Sequence, residues 1–213
     1  MRHPKSILFI LLIALQFLKC SGQENTSIKG QQKVGGPCEG CEALFEYGDQ
    51  KLTATDTLPD FEKNNPKLKL TGTVFKKDGI TPAENVILYI YQTDRKGVYP
   101  TKGNEKGWAK RHGYIRAWIK TDVNGKYTFY TFRPSAYPNS IEPAHIHITV
   151  KEPFKNEYYI DEFVFDDDPF LTVAERKKLM NRGGSGIVEP KVEGEILLVN
   201  RNIVLGLNIP SYE

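Results

Sequence analysis

Tyr137, His145 and His147 place one phenol and two imidazoles within eleven residues of the chain. Residues 144–150, A-H-I-H-I-T-V, are rich in β-branched side chains and predict a strand. Because side chains alternate along a strand, His145 and His147 share one face while the isoleucines between and after them point to the other. Two imidazoles on one strand face supply half of a metal site.

The remaining ligands of such a site must come from another residue type. Of the four histidines, His3 lies in an apparent signal peptide, and His112 is expected on a surface loop, with the mouth of a pocket as the alternative. Carboxylates are one option, but the chain has eleven tyrosines, and Tyr99 and Tyr137 each occupy a turn beside a predicted strand. Two phenolates and two neutral imidazoles suit a hard trivalent ion such as Fe(III), whose residual charge a hydroxide cancels.

Many short strands must position these side chains. Apolar alternation interrupted by Gly and Asn turns predicts an all-β fold, a single β-sandwich with one short helix near the C-terminus. Residues 114–120 and 126–132 are expected to form a hairpin around the D-V-N-G turn. The helix is predicted at Thr172–Asn181, with Thr172 as its N-cap. The strands are predicted at residues 68–75, 85–91, 114–120, 126–132, 144–150, 159–165 and 195–207.

Residues 1–22 have the organisation of a signal peptide. A basic start precedes an apolar run at residues 7–18, which is too short to span a bilayer as a helix. We therefore expect an exported protein, periplasmic or secreted, without a transmembrane segment. A lipid anchor at Cys20 is the alternative, although Lys19 stands where a lipoprotein signal has a small residue.

The chain after the signal peptide divides into two predicted parts. Residues 23–66 are polar and turn-rich and contain the C-x-x-C pair Cys38 and Cys41, and residues 67–213 form the predicted sandwich. Two cysteines cannot make a four-cysteine zinc site, and no βαβ pattern surrounds the pair. We therefore favour a disulfide over a thioredoxin-like redox pair.

The charge balance argues against nucleic acid as a partner. The chain has 29 Lys and Arg residues and 26 Asp and Glu residues, and residues 1–22 contain three of the basic residues and no acidic one. The chain without its signal peptide is therefore formally neutral. Neutrality disfavours binding to nucleic acid or to a membrane surface through bulk charge. The sequence leaves a homo-oligomer open.

Several longer stretches carry a family resemblance through their order and spacing. They are L-T-G-T-V-F-K-K-D-G, P-A-E-N-V-I-L-Y-I-Y, I-R-A-W-I-K-T-D-V-N-G-K-Y, P-A-H-I-H-I-T-V and F-V-F-D-D-D-P. Residues 70–169 resemble the intradiol ring-cleavage dioxygenases, the catechol and protocatechuate dioxygenase family, here in a secreted form. Residues 195–207 resemble the closing strand of that family.

The resemblance implies one Fe(III) per chain, held by Tyr99, Tyr137, His145 and His147, with Tyr137 and His147 axial. It implies a catechol-type substrate that binds as a dianion and displaces a hydroxide and Tyr137. O2 would then open the ring between the two hydroxylated carbons and give a muconate-type diacid. Fe(II) enzymes that cleave beside the diol use two histidines and one carboxylate, which is a different ligand set.

Two positions depart from the family pattern. Glu142 stands where the family usually has an Arg that stabilises charge on the substrate ring, and Glu162 stands where it usually has a Gln. Replacing a cation by a carboxylate reverses the sign of an electrostatic contribution to catalysis. The two carboxylates either adapt the site to a cationic catechol or interact with an arginine such as Arg111, Arg116 or Arg133. The other interpretations are an iron-binding protein without efficient ring cleavage, and a shifted register with Glu142 as a solvated loop residue.

Two other folds share part of the pattern. A cupin fits the spacing of His145, His147 and Glu152, but the glycines and the later histidine of a cupin motif are missing. A transthyretin-like binding module shares the T-G-x-V strand and the T-D-x-x-G-x-Y-x-F segment. Such a module leaves Tyr99, Tyr137 and the histidine pair unexplained.

Overall fold

The structure is a computed structural model that describes residues 33–213. The predicted signal peptide at residues 1–22 and the candidate lipid anchor at Cys20 lie outside the described residues. Within the described range, no helix is both long enough and apolar enough to cross a bilayer.

The first of two sheets has six strands in the order β1-β5-β2-β11-β10, with β12 paired to the far end of β2. The antiparallel pair of β2 and β5 forms its centre, and β1 and β11 pair in parallel with these two strands. Its strands are β1 (Thr55–Thr57), β2 (Lys67–Phe75), β5 (Lys126–Phe132), β10 (Lys191–Glu193), β11 (Ile196–Asn200) and β12 (Ile203–Val204).

The second sheet also has six strands, in the order β4-β3-β6-β8-β9, with β7 paired to β6. Its central strand β6 is antiparallel to β3 on one side and to β8 and β7 on the other. Its strands are β3 (Ile87–Gln92), β4 (Arg116–Lys120), β6 (His145–Lys151), β7 (Tyr158–Tyr159), β8 (Phe163–Phe165) and β9 (Ile187–Val188).

The main core contains buried apolar side chains from both sheets. Leu68 and Leu70 come from β2, and Ile90, Ile146 and Ile148 come from β3 and β6. Burial of aliphatic and aromatic side chains of this size is the dominant favourable contribution to folding. The predicted all-β sandwich is confirmed.

The predicted hairpin of residues 114–120 and 126–132 is wrong. The turn itself forms, because the carboxylate of Asp122 accepts hydrogen bonds from the amides of Asn124 and Lys126. However, β4 pairs with β3 in one sheet, whereas β5 pairs with β1 and β2 in the other. The turn therefore carries the chain from one sheet to the other across the core.

The predicted helix is shorter than expected, and a second short helix is present. Helix α2 covers only Val173–Arg176, and its N-cap is confirmed because the Thr172 hydroxyl accepts a hydrogen bond from the amide of Glu175. None of its residues is buried. A short helix without a buried face gains little from packing, which accounts for its early end. The additional helix α1 covers Ala109–His112.

Candidate metal centre

The two histidines begin β6 in the middle of the second sheet. His147 lies opposite Tyr91 of β3, and His145 lies opposite Val164 of β8. The isoleucines that alternate with the histidines are buried in the core between the sheets. The predicted alternation is therefore confirmed, and both imidazoles lie on the face of the sheet away from that core.

Tyr99 and Tyr137 reach the histidines from two loops. Tyr99 follows a turn after β3, in which the carboxylate of Asp94 accepts hydrogen bonds from the amides of Lys96 and Val98. Tyr137 lies in the irregular segment of residues 133–144 between β5 and β6. Neither tyrosine lies on a strand, so the position of each depends on its loop.

The two loops are joined to each other. The amide of Ser135 donates to the carbonyl of Asp94, the hydroxyl of Ser135 donates to the carbonyl of Arg95, and the hydroxyl of Thr93 donates to the carbonyl of Ser135. Gly97 packs so closely that a Cβ atom there would lie 1.9 Å from the carbonyl oxygen of Ala136. These contacts fix the spacing of the two tyrosine side chains.

Four polar atoms from these elements converge on one point. The Tyr99 hydroxyl is hydrogen bonded to the Tyr137 hydroxyl and lies 2.8 Å from Nε2 of His147. The Tyr137 hydroxyl lies 3.2 Å from Nε2 of His145 and 3.4 Å from Nε2 of His147, and these two nitrogens are 3.1 Å apart. We call these four side chains the Tyr2His2 cluster. The structure thus brings together all four predicted ligands.

The other ring nitrogen of each histidine faces an acceptor. Nδ1 of His145 is 2.8 Å from the carbonyl oxygen of Pro143, and Nδ1 of His147 is 3.2 Å from a carboxylate oxygen of Glu162. A carbonyl or carboxylate can only accept, so each Nδ1 carries the proton and each Nε2 presents a lone pair to the cluster. This arrangement, with an acceptor behind each imidazole, is typical of histidines that bind metals.

Burial disfavours the charged forms of three members of the cluster when no cation is present. It raises the pKa of Tyr99, and the hydrogen bond to Tyr137 raises it further. Burial also raises the pKa of Tyr137, which outweighs the opposing effect of the hydrogen bond from Tyr99. Burial and the neighbouring His147 lower the pKa of His145.

The donor set of the cluster fits a hard trivalent cation. A bound cation favours ionisation of its ligands, which would allow the two buried phenols to become anionic. Within residues 33–213, no group of three or more His, Cys, Asp or Glu side chains is placed to hold a metal ion. A metal at this point therefore depends on the two tyrosines.

Glu162 and Glu142 both lie beside the histidines. Burial would raise the pKa of Glu162, but the hydrogen bond from His147 and the charges of His147 and His145 lower it to about 2. Glu142 has a side chain that is 55% exposed, and its carboxylate is 4.0 Å from Nδ1 of His145. Glu142 therefore lies at the rim of the cluster rather than far from it on the loop.

The expected ion pairs with nearby arginines do not form. Arg111 pairs with Glu39, Arg116 with Glu46, and Arg133 makes two hydrogen bonds to Asp167. The ion pairs of the described residues include none between these arginines and Glu142 or Glu162. These three arginines therefore have other partners, and Glu162 instead interacts electrostatically with the buried Arg201.

Two cavities border the histidine pair, and Glu162 lines both of them. The larger, of about 220 Å³, is also lined by Tyr91, His147 and the loop that contains Cys38 and Cys41. The smaller, of about 110 Å³, is also lined by Glu142 and His145.

Cys38 and Cys41 form the predicted disulfide, with their Cα atoms 5.6 Å apart. The loop between them makes one wall of the larger cavity. The N-terminal segment thus contributes to the surroundings of the cluster, a role that its polar composition did not indicate.

His112 is buried, so the prediction of a surface loop residue was wrong. Its ring stacks on Tyr91 with centroids 3.8 Å apart, and Tyr91 stacks in turn on His147 with centroids 4.4 Å apart. Nδ1 of His112 is hydrogen bonded to the hydroxyl of Tyr89, and burial lowers the pKa of His112 to about 4. A Cβ atom on Gly40 would collide with His112, so tertiary contacts bury this side chain.

Tyr91 is the neighbour of the cluster that the sequence reasoning missed. It lines the larger cavity and covers one face of His147. The signal was present in N-V-I-L-Y-I-Y, where alternation places Tyr89 and Tyr91 on one strand face. Only the pairing of β3 with β6 shows that this is the face of the histidines.

The fold, two facing sheets with two phenols held by loops beside a histidine pair, agrees with that of known dioxygenases. The chain belongs to the intradiol ring-cleavage dioxygenase family, since a family model described as Dioxygenase matches residues 45–182. The beta chain of protocatechuate 3,4-dioxygenase from Burkholderia cepacia is 27% identical over 184 residues, which cover 79% of this chain and 76% of that one.

Solved structures show the same fold. The dioxygenase domain of a dioxygenase and carbohydrate-binding fusion protein from Streptomyces sp. SirexAA-E has a TM-score of 0.55 at 20% identity, covering 75% of this chain and 94% of that domain. Catechol 1,2-dioxygenase from Acinetobacter sp. ADP1 has a TM-score of 0.53 at 20% identity, covering 71% of this chain and 56% of that one. The cupin and transthyretin-like interpretations are therefore not supported.

Proposed function

We propose that this protein is an Fe(III)-dependent dioxygenase that opens a catechol-type ring between its two hydroxylated carbons with O2. The observation that carries the proposal is the convergence of two phenol oxygens and two imidazole Nε2 atoms in the Tyr2His2 cluster. Membership of the intradiol family supports ring cleavage as the reaction. Tyr99, Tyr137, His145 and His147 would be the ligands of one Fe(III) per chain.

Each side chain of the cluster has a role that follows from its contacts. Pro143 and Glu162 hold the Nδ1 protons, which aims both Nε2 lone pairs at the metal position. Tyr99 and Tyr137 would hold the metal as phenolates, and the Tyr137 oxygen would also be the group that takes a proton from the catechol. Bound Fe(III) would supply the electrophilic chemistry that lets a chelated catechol react with O2.

We also propose that the protein is exported, because the chain begins with the predicted signal peptide and contains a disulfide. Disulfides persist mainly in proteins of oxidising compartments. A lipid anchor at Cys20 and the formation of a homo-oligomer stay predictions.

The first stage of the test measures Fe(III) binding. The full chain should bind one Fe(III) and acquire the visible colour of tyrosinate-to-iron charge transfer. The Tyr137→Phe variant should lose much of that colour, whereas Tyr114→Phe should keep it, since the Tyr114 hydroxyl donates to Asp60 and not to a member of the cluster. A colourless protein that refuses stoichiometric Fe(III) would overturn the metal site.

The second stage tests ring cleavage. A catechol added without O2 should shift the visible band, and later addition of O2 should consume one O2 per ring. With isotopically labelled O2, both oxygen atoms should appear in a ring-opened diacid. Iron binding without any spectral response to catechols would instead support an iron-binding protein that does not cleave rings.

A further inference from the structure

The ionised side chains that line the two cavities beside the histidines are mostly carboxylates. Glu39 and Glu162 line the larger cavity, which has no Lys or Arg in its lining. Glu142, Glu162 and Glu175 line the smaller cavity together with Lys178. A ligand that approaches the histidine pair therefore meets negative charge.

Ion pairs neutralise two of these carboxylates and leave two. Glu39 pairs with Arg111, and Glu175 pairs with Lys178. Glu162 and Glu142 have only the histidines as charged or titratable partners within 4.0 Å among the described residues. The two carboxylates without a Lys or Arg within 4.0 Å are thus the two that lie nearest the cluster.

We infer that Glu142 and Glu162 select catechols whose ring carries a cationic, amine-bearing side chain. This inference rests on the proposed function, because it assigns the substrate class of the same site. An ammonium group placed beside the two carboxylates gains Coulomb attraction, whereas a carboxylate on the ring is repelled by them. Selection against the wrong charge is a common way to obtain specificity.

The cavities also limit the size of the substrate. Cavities for drug-sized ligands have volumes of about 300–1,000 Å³. The larger cavity here has about 220 Å³, and Tyr91 provides one aromatic wall. A single ring with a short side arm fits this space better than a polycyclic or polymeric substrate.

The test compares three catechols that differ mainly in charge: 4-(2-aminoethyl)catechol, 4-ethylcatechol and 3,4-dihydroxyphenylacetate. Their Kd values are measured without O2 from the visible band of the Fe(III)-loaded protein, and kcat/KM is measured with O2. The amine should bind about tenfold more tightly than the neutral compound, which corresponds to about 1.4 kcal/mol, since each of two partly exposed ion pairs contributes up to about 1 kcal/mol. The carboxylate should bind most weakly, and added salt should reduce the differences.

The variant Glu142→Gln assigns the effect to a residue. It should weaken binding of the amine about fivefold and strengthen binding of the carboxylate, while the neutral catechol keeps its Kd. Glu193→Gln is the matched control, because Glu193 is an exposed carboxylate on β10 in the other sheet. As a readout without turnover, 4-(2-aminoethyl)phenol should compete with the catechols more strongly than 4-ethylphenol.

The outcomes separate this inference from the proposed function. If no catechol changes the spectrum, the proposed function fails. If catechols bind and are cleaved but the neutral or anionic compound binds as tightly as the amine, only the charge selection is wrong. Charge selection that Glu142→Gln does not change would remove Glu142 from the inference.

Discussion

The two ends of β6 carry two tyrosine-rich polar clusters that differ in one respect. Just past its C-terminal end, the buried carboxylate of Glu152 accepts hydrogen bonds from the hydroxyls of Tyr158 at 2.5 Å and Tyr212 at 2.8 Å. There, each hydroxyl proton has a carboxylate oxygen of its own. At its start, in the tautomer that the acceptors at Nδ1 favour, the Nε2 lone pairs of His145 and His147 face each other at 3.1 Å with no proton between them.

The difference shows how a structural tyrosine can be told from a candidate ligand. A buried phenol that donates to a carboxylate completes a hydrogen-bond network, and a polar group satisfied in this way needs no further partner. The two facing Nε2 lone pairs of the Tyr2His2 cluster are the feature that a cation would complete.

Tyr99→Phe should weaken iron binding, whereas Tyr158→Phe should leave the iron affinity unchanged. Structural zinc sites with four ligands have binding free energies of about 10–16 kcal/mol, so by analogy the loss of one of four ligands costs about 3 kcal/mol or roughly 100-fold in affinity. Competition with a chelator of known affinity measures this change. Equal iron affinity in the two variants would remove the distinction between the two clusters.

Protonation of His112, a buried neighbour of the Tyr2His2 cluster, should make the free energy of unfolding depend on pH. Its pKa is about 4 in the folded protein against 6.5 for an unperturbed histidine. The unfolded chain therefore binds more protons between pH 4 and 6.5, and the free energy of unfolding should fall by about 2–3 kcal/mol as the pH drops through this range. Urea unfolding of the metal-free protein at several pH values should show a smaller fall for His112→Gln than for the parent protein.

Tyr158→Phe should lower the free energy of unfolding by about 1–2 kcal/mol, because it leaves the buried carboxylate of Glu152 with one hydrogen-bond partner fewer. Tyr99→Phe should change the stability of the metal-free protein by less than Tyr158→Phe does. Chemical denaturation of both proteins without iron gives the comparison. The reverse order would mean that the Tyr99 hydroxyl is a structural group.

Glu162→Gln should have the smallest effect, a loss of about tenfold in iron affinity. Partners behind a metal-binding histidine typically contribute about 10–100-fold, and glutamine keeps an acceptor while it removes the charge. The same chelator competition applies, with Glu193→Gln as the control. An unchanged affinity would show that Glu162 does not act through His147.

Local patterns predicted the parts of the fold that depend on local chemistry. Alternation placed His145 and His147 on one face, and Thr172 caps its helix as expected. The pairing of β4 was missed, because the turn at Asp122 forms equally well between strands of one sheet or of two. Turn chemistry does not specify which strand becomes the neighbour.

The candidate site shows the same limit. The positions of Tyr99 and Tyr137 were predicted through the family resemblance, since two turn tyrosines that are 38 residues apart have no local signal that brings them together. His112 and Tyr91 were missed because their burial depends on Gly40 and on the pairing of β3 with β6. Long-range contacts determine these surroundings.

The close fit of Gly97 against Ala136 restricts how this site could arise in evolution or be transferred to another protein. Because the two loops are joined by hydrogen bonds and by this contact, neither tyrosine is positioned independently. A homologue or a designed sandwich that gained one loop alone would hold its phenol in the wrong place. The two loops must therefore be acquired together, with a glycine at their point of contact.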